Sequence, residues 1–453
     1  MFEFDARLSR DDWLDLKNSF RQVSGSVCAP RGFKCAAVFC DIKRLGTGKG
    51  SQKGQKRDLA LIVSDVPAAV GGMFTTNQVC AAPVKISAQR AAKNSAQAIV
   101  VNSGNANACT GRQGLADAER MARIAAASIA SRPPRKARIT AQDVLVCSTG
   151  RIGVPLAMKN VERGIRECAP LLARSTTNAR RVAEAIMTTD TRRKEIAVEF
   201  KIGRSTIRIG GICKGAGMIQ PGMSRRAHAT MLAFITSDAA IEPNALKRAL
   251  DVAVAQSFNR ITVDGDMSTN DSVIMLANGL AGNPKSEIRN PKFQTALNFV
   301  TLELAKMIVR DGEGVSRFVT LHVHRARNAR EAESATRAIA NSSLVRTSWC
   351  GGDPNWGRVL CALGYSGAEV NETIVDVGYA RSGSREIVFA FRRGRPTNIS
   401  LKTLAKITSA PEFDLHVDLH RGRGQFTMYA SDLTENYVAF NKGDVNDPTT
   451  LGG

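Results

Sequence analysis

Between Lys214 and Ile241 the chain reads KGAGMIQPGMSRRAHATMLAFITSDAAI. A glycine-rich, proline-broken, arginine-bearing loop runs into Ala229-Thr230, and an apolar run, MLAFI, follows at once. Thr230 thus stands at the mouth of a buried strand, with a small residue and a loop before it. That layout suits a nucleophile that first cuts its own chain. Its hydroxyl attacks the Ala229 carbonyl, the amide becomes an ester, and water hydrolyses the ester. The α-amine so freed has a reference pKa near 7.7–8.0, so it can serve as the hydroxyl's own general base near neutrality. The pattern is not confined to such enzymes, because ordinary strands often open on threonine.

Other chemistry-bearing segments fail their own spacing. GTGKG (46–50) has no glycine five residues before Gly48 and no Ser or Thr after Lys49, so it is not a phosphate-binding loop. DGDMSTND (264–271) is acidic enough for calcium, but Thr269 stands at the sixth loop position and Met275 at the twelfth, where Gly and Glu are needed. His322 and His324 sit in the alternating VTLHVHRA, and His416 and His420 flank VDL in another extended stretch. Neither pair has the helical HExxH frame, and no metal site is expected. The ten cysteines are scattered without a CxxC pair and read as small buried hydrophobes.

The elements that must position Thr230 follow from periodicity. Residues 98–101 predict a buried strand, followed by the loop NSGNANACTG (102–111) and a helix near 113–130. Residues 144–147 predict a strand running into STG (148–150), which by itself could cap a helix, and a helical stretch near 156–172. EIAVEF (195–200) and TIRIGGI (206–212) predict a hairpin. Helices are expected near 243–256, 291–310 and 327–341, with strands at 261–263, 317–323 and 373–379. Residues 1–25 predict a polar helical extension, and 43–57 an exposed Gly/Lys loop. The sum is a mixed α/β protein.

Bulk properties bound the function. The chain has 453 residues, enough for two to three domains. No apolar run reaches membrane-spanning length and the N-terminus lacks the apolar core of a signal peptide, so a cytoplasmic protein is expected. The net charge of +22 raises a polyanionic partner such as nucleic acid. The basic residues are dispersed, however, in clusters at 43–57, 132–138 and 392–395 that lack interleaved aromatics, which favours a solvated arginine-rich surface.

A set of motifs then gives the chain a family resemblance. FTTN (74–77), AAPV (81–84), NSGNANACTG (102–111), STGRIG (148–153), MTTDT (187–191), KGAGMI (214–219) and ATMLAF (229–234) are joined by SFNRITVDGDMSTND (257–271), DGEG (311–314), SLVRT (343–347) and DPNWGR (353–358). In this order they resemble the ornithine acetyltransferase family, the glutamate N-acetyltransferases of arginine biosynthesis, from about Gly32 to Asn441. The resemblance implies a stacked-sheet, self-cleaving α/β fold, reminiscent of but distinct from N-terminal nucleophile hydrolases. It implies cleavage between Ala229 and Thr230 into chains 1–229 and 230–453, assembled as an α₂β₂ heterotetramer. Thr230 would take the acetyl group of N-acetylornithine and pass it to glutamate, without a cofactor. Acetyl-CoA is the acetyl donor for some members.

The same resemblance assigns residues. Thr149 and Gly150 match the oxyanion hole, Thr188 and Lys214 the polar backbone groups of the substrate, Glu313 its amine side, and Asn441 a further contact. NSGNANACTG is left as scaffold and DPNWGR as a packing motif at a turn. Three departures stand out. SRRAH (224–228) intervenes between Met223 and Ala229, Val315-Ser316-Arg317 follows DGEG, and the tail after Asn441 diverges. A self-cleaving aminopeptidase or amidase is the nearest alternative, told apart by hydrolysis without an acetyl acceptor. A nucleic-acid-binding protein on a dead scaffold would have lost Thr230 or the STG turn, and both are present.

Overall fold

The computed structural model describes residues 20–43, 56–131, 139–224, 231–284 and 291–442. Most of the N-terminal extension, the Gly/Lys loop, residues 225–230 and the tail lie outside the described residues. Where the extension is described it is not helical: β1 (Arg21–Gln22) pairs with β6 (Lys194–Ile202).

The first sheet also contains β2 (Phe33–Val38), β3 (Leu59–Thr75), β4 (Ser95–Asn105), β5 (Val144–Arg151), β7 (Ser205–Lys214), β8 (Met223–Ser224), β9 (Leu232–Ser237) and β11 (Ser272–Ala277). Its main path runs β1-β6-β7-β9-β11-β3-β4-β5, with β2 and β8 also on β3. The long β3 joins two layers. Its first half pairs with β2 and β4, and its second half with β11, the β4 register shifting between Val63 and Ala68. Pro67, which cannot donate to a ladder, sits in that break.

Period-two alternation then sets the core. Ile62, Ile99 and Leu145 from one layer and Val70, Phe234 and Ile274 from the other share one hydrophobic cluster. Their strand neighbours face outward. Leu61, Val100 and Val146 pack on α2 (Gly111–Ala130) and α3 (Met158–Cys168). Ala233, Ile235 and Met275 pack on α5 (Pro243–Ala255) and α6 (Pro291–Arg310). The order is helix, sheet, sheet, helix, so the stacked-sheet α/β expectation holds. Two shorter helices, α1 (Ala82–Ala91) and α4 (Thr176–Ala185), add Val84, Val182 and Ala183 to the central cluster.

The second sheet is built from β10 (Ile261–Thr262), β12 (Phe318–Ala326), β13 (Asp376–Arg381), β14 (Val388–Arg392), β15 (Arg395–Pro396), β16 (Glu412–Asp418) and β17 (Gly424–Ser431). One face packs on α7 (Ala329–Asn341), α8 (Ser343–Cys350), α9 (Trp356–Gly364) and α10 (Leu401–Thr408). The other leans on α6, where the Arg310 guanidinium lies 4.3 Å from the Phe318 ring centre and binds Glu412 at 2.7 Å. DPNWGR proves to be a helix start. Asn355 caps α9 by accepting from the Arg358 amide, and Trp356 stacks on Phe391. The short α11 (Glu435–Asn441) closes the described chain. No described helix is long and apolar enough to cross a membrane.

Candidate active site

Residue 230 lies outside the described residues; the residues that follow it are held firmly. The Met231 carbonyl accepts from the Ser272 amide at 2.7 Å, and Leu232 pairs with Ser272 on one side and Lys214 on the other. Every residue of β9 is buried, as the run MLAFI predicts. The chain therefore enters the sheet between the end of β7 and the start of β11, and residue 230 precedes that entry by two residues.

The STG turn is brought to the same place by Asn270. Its side-chain amide donates to the Ser148 carbonyl at 2.9 Å and to the Ala106 carbonyl at 2.6 Å, two residues before the Ser272 amide that holds Met231. STG is not a helix cap. It continues β5 beside β4, with Ser103 opposite Thr149 and Gly104 opposite Gly150. Gly150 has φ +130°, and a Cβ there would stand 2.3 Å from the Gly104 carbonyl carbon, so only glycine lets the two strand ends meet. An asparagine network braces the turn. Ser148 donates to Asn102 at 2.6 Å, the Asn102 side chain to the Asn105 carbonyl at 2.9 Å, and the Asn107 amide to the Asn105 side chain at 2.8 Å. Thr149 is buried on this rigid support. NSGNANACTG is thus a scaffold with a stated task.

The four substrate-contact candidates lie in segments that are bonded to one another. Asp190, fully buried, accepts from the Thr188 amide at 3.0 Å, the Gly215 amide at 2.9 Å and Lys194 Nζ at 2.6 Å. Lys194 also binds Asp311 at 2.5 Å, which ties MTTDT to DGEG. The Glu313 amide donates to the Ala216 carbonyl at 3.1 Å, and the Glu313 carboxylate lies against Gly217, where a Cβ would stand 2.5 Å from it. Asn441 donates to that carboxylate at 3.0 Å. It is placed by α11, whose N-cap Thr434 donates to the Gly314 carbonyl at 2.6 Å. Thr188, Glu313 and Asn441 are therefore tied to Gly215 and Ala216, which follow Lys214, the strand partner of Leu232.

Burial sets the charge states. It lowers the pKa of the Lys214 ammonium, against the pull of Asp190. Burial also acts to raise Asp190, but Lys194 and Lys214 outweigh it and hold the carboxyl below its ordinary value. Asp271 is pushed well above the usual carboxylate range by burial, with Lys214 opposing, and neither of its oxygens has a hydrogen-bond partner among the described residues. Asp190, Lys194 and Asp271 carried no role in the sequence reading. Their signal is structural: Asp271 stands one residue before the strand that receives Met231.

Two departures from the family pattern have structural accounts. Ser224, the first residue of SRRAH, is paired in β8 opposite Phe74. The amides of Ser316 and Arg317 both donate to Asp432 at 3.0 Å, which fastens the altered stretch after DGEG to the end of β17. A cavity of about 320 Å³ lined by Arg21, Arg174 and Arg208 lies at the far end of β7 from Lys214, roughly 20 Å along the strand, and is separate from this site.

Known proteins share this chain's pattern almost end to end. The ArgJ family model matches residues 41–443. The arginine biosynthesis bifunctional protein ArgJ of Symbiobacterium thermophilum is 44% identical over 422 residues, 92% of this chain and 98% of that protein. The glutamate N-acetyltransferase of Methanocaldococcus jannaschii is 42% identical over 428 residues, covering 93% and 98%. Among solved structures, the ornithine acetyltransferase of Mycobacterium tuberculosis complexed with ornithine is 35% identical, with a TM-score of 0.41, covering 45% of this chain and 100% of that one. With its motifs in order and a family match over most of its length, the chain belongs to the ArgJ family.

Proposed function

We propose that the chain is an acetyltransferase of arginine biosynthesis that cuts itself between Ala229 and Thr230 and carries acetyl on the Thr230 hydroxyl. The observation that supports the reading is that the start of β9 pairs with Lys214, while Asn270, two residues before the amide that holds Met231, binds the STG turn that contains Thr149. The names of its relatives support arginine biosynthesis and glutamate as acceptor.

In this cycle the freed α-amine of Thr230 takes the hydroxyl proton as the oxygen attacks the acetyl carbonyl of N-acetylornithine. The Thr149 hydroxyl and the Gly150 amide donate to the oxyanion. The C–N bond breaks as the Thr230 α-ammonium passes that proton to the departing nitrogen, and ornithine leaves. Glutamate's α-amine then attacks the ester, giving N-acetylglutamate and free Thr230. Lys214 and Thr188 hold the substrate carboxylate and acetyl-bearing end, while Glu313 and Asn441 face its distal amine. Acetyl-CoA can load the same hydroxyl, with a thiol as leaving group, and no resident cofactor is required. The mature protein is an α₂β₂ assembly of residues 1–229 and 230–453.

A covalent intermediate demands parallel double-reciprocal lines for acetylornithine and glutamate. It also demands one added acetyl mass on the 230–453 fragment. Intersecting lines with no labelled fragment would point to direct transfer. Hydrolysis of amides without an acceptor would point to an amidase.

Thr149→Ala removes one donor from the oxyanion site. Turnover is expected to fall by about 10²–10³ with KM little changed. Unchanged turnover with much weaker binding would move Thr149 to a ground-state role.

A further inference from the structure

Away from the active site, two cysteines are held in contact beside β2. Cys28 ends a single helical turn (Ser26–Cys28), Cys35 lies within β2, and the chain reverses between them. Three features pin the reversal. The Arg31 amide donates to Asp238 at 3.1 Å, the Asn278 side chain donates to the Arg31 carbonyl at 2.8 Å, and Gly32 takes φ +73°. Ala173 and Arg174 clasp both arms. Ala173 exchanges backbone hydrogen bonds with Cys35 at 3.2 and 3.3 Å, and the Arg174 guanidinium donates to the Cys28 carbonyl at 3.2 Å and the Ala29 carbonyl at 3.0 Å. Both thiols are buried, and their sulfurs stand 3.0 Å apart.

The two thiols differ in their surroundings. Cys28 is one of the residues lining the cavity of about 320 Å³, together with Arg21, Arg174 and Arg208. Arg21 and Arg208 share a single carboxylate there, Glu199, at 3.0 and 2.7 Å. A molecule of two or three heavy atoms fits such a space easily, since water takes about 30 Å³. Cys35 lies behind Cys28 and is completely buried. Its hydrogen bond with Cys28, and then burial, push its thiol well above the ordinary range, so it rests protonated. The pair thus has an outer member that a small reagent reaches first and an inner member already in contact with it.

We propose that Cys28 and Cys35 form a dithiol–disulfide site that is oxidised by hydroperoxides. The Cys28 thiol gives its proton to water, and the thiolate attacks one peroxide oxygen. The O–O bond breaks, leaving a sulfenic acid on Cys28 and a hydroxide that takes up the released proton. The lining guanidiniums favour the departing anion. The Cys35 sulfur then attacks the Cys28 sulfur and displaces its hydroxyl, which leaves as water with the Cys35 proton. In sum, two thiols become one disulfide and one peroxide becomes two waters. Closing the bond brings the sulfurs together by about 1 Å. The link fastens the helical turn to β2 and is undone by thiols. Spacing along the chain conceals the pair, because an interval of residues 29–34 matches no redox motif and the pinned reversal is what makes the sulfurs meet.

The test uses the full-length protein, reduced with dithiothreitol, freed of it and exposed to hydrogen peroxide. Peptide mapping of the wild type, which needs no variant, is expected to show Cys28 joined to Cys35, with the link lost when dithiothreitol returns. Cys35→Ser removes the inner thiol, so dimedone should then trap the sulfenic acid on Cys28. The oxidised wild type should unfold at a higher urea concentration than the reduced form, and Cys28→Ser should show no such rise. Oxidation found only on the exposed Cys109 and Cys361, or Cys28 joined to a third cysteine, overturns the proposal. A link that forms without raising the urea midpoint overturns its fastening role.

Discussion

Thr230→Ala is expected to leave a single uncut chain of 48.7 kDa with no acetyl transfer. One hydroxyl serves both events, so both must disappear together. In cleavage it attacks the Ala229 carbonyl, and in transfer it accepts the acetyl group. Without it neither the ester of the first reaction nor that of the second can form. Thr230→Ser keeps the oxygen but loses the methyl that helps fix its rotamer, so it should retain part of each activity. The measurement is intact mass of the purified variant beside an acetyl-transfer assay. An alanine variant that still splits into two chains and turns over would remove Thr230 from both roles.

Asp190→Asn is expected to cost about 3–5 kcal/mol of stability, the usual range when one member of a buried ion network is removed. Asparagine matches the volume, but the Thr188 and Gly215 amides bond different oxygens of Asp190, so its single carbonyl oxygen can accept from only one of them, and it brings no negative charge. Lys194 keeps Asp311, whereas Lys214, already lowered by burial, loses the leading charge that opposes that shift. The pH dependence has a definite sign. The Asp190 carboxyl is held below its ordinary value when folded, so its contribution is complete above an unfolded pKa near 3.9 and lost as pH falls through the lower folded value. The stability gap between wild type and variant should stay level from neutrality to about pH 5 and close below pH 4. Urea denaturation across that range measures it. Because Thr188 and Lys214 share this anchor, transfer should also fall on the order of 10²-fold. A variant with wild-type stability and turnover would show that the buried aspartate is dispensable.

Local periodicity carried much of the fold. Helices α5 and α6 begin where Pro243 and Pro291 stand, and the hairpin of β6 and β7 turns near Gly203 as its alternation requires. What escaped was long-range. In β3, Pro67 interrupts the reading of a strand that spans both layers, and α1 and α4 are too short to declare a clear period. The site divides in the same way. Motifs named Thr149, Thr188, Lys214 and Glu313, because each belongs to a distinctive string, whereas Asn441 came from the resemblance alone, at the edge of a divergent tail. The network that ties them together, Asp190 with Lys194 and Asp311, depends on burial and pairing between segments far apart in sequence. Asp271 is similar: its acidic surroundings suggested a metal loop by composition, while its chemical character comes from complete burial.

The strand order β7-β9-β11-β3 bears on the proposed cut before Thr230. The two strands that follow the cut are threaded between two that precede it, with hydrogen-bonded ladders on both flanks. The fragments are therefore laced into one sheet and cannot part by undocking a surface. Pulling them apart means stripping β9 and β11 out of the middle of the structure, at a cost comparable to unfolding it. A cut at that point would free an amine and leave every ladder bond between the halves in place.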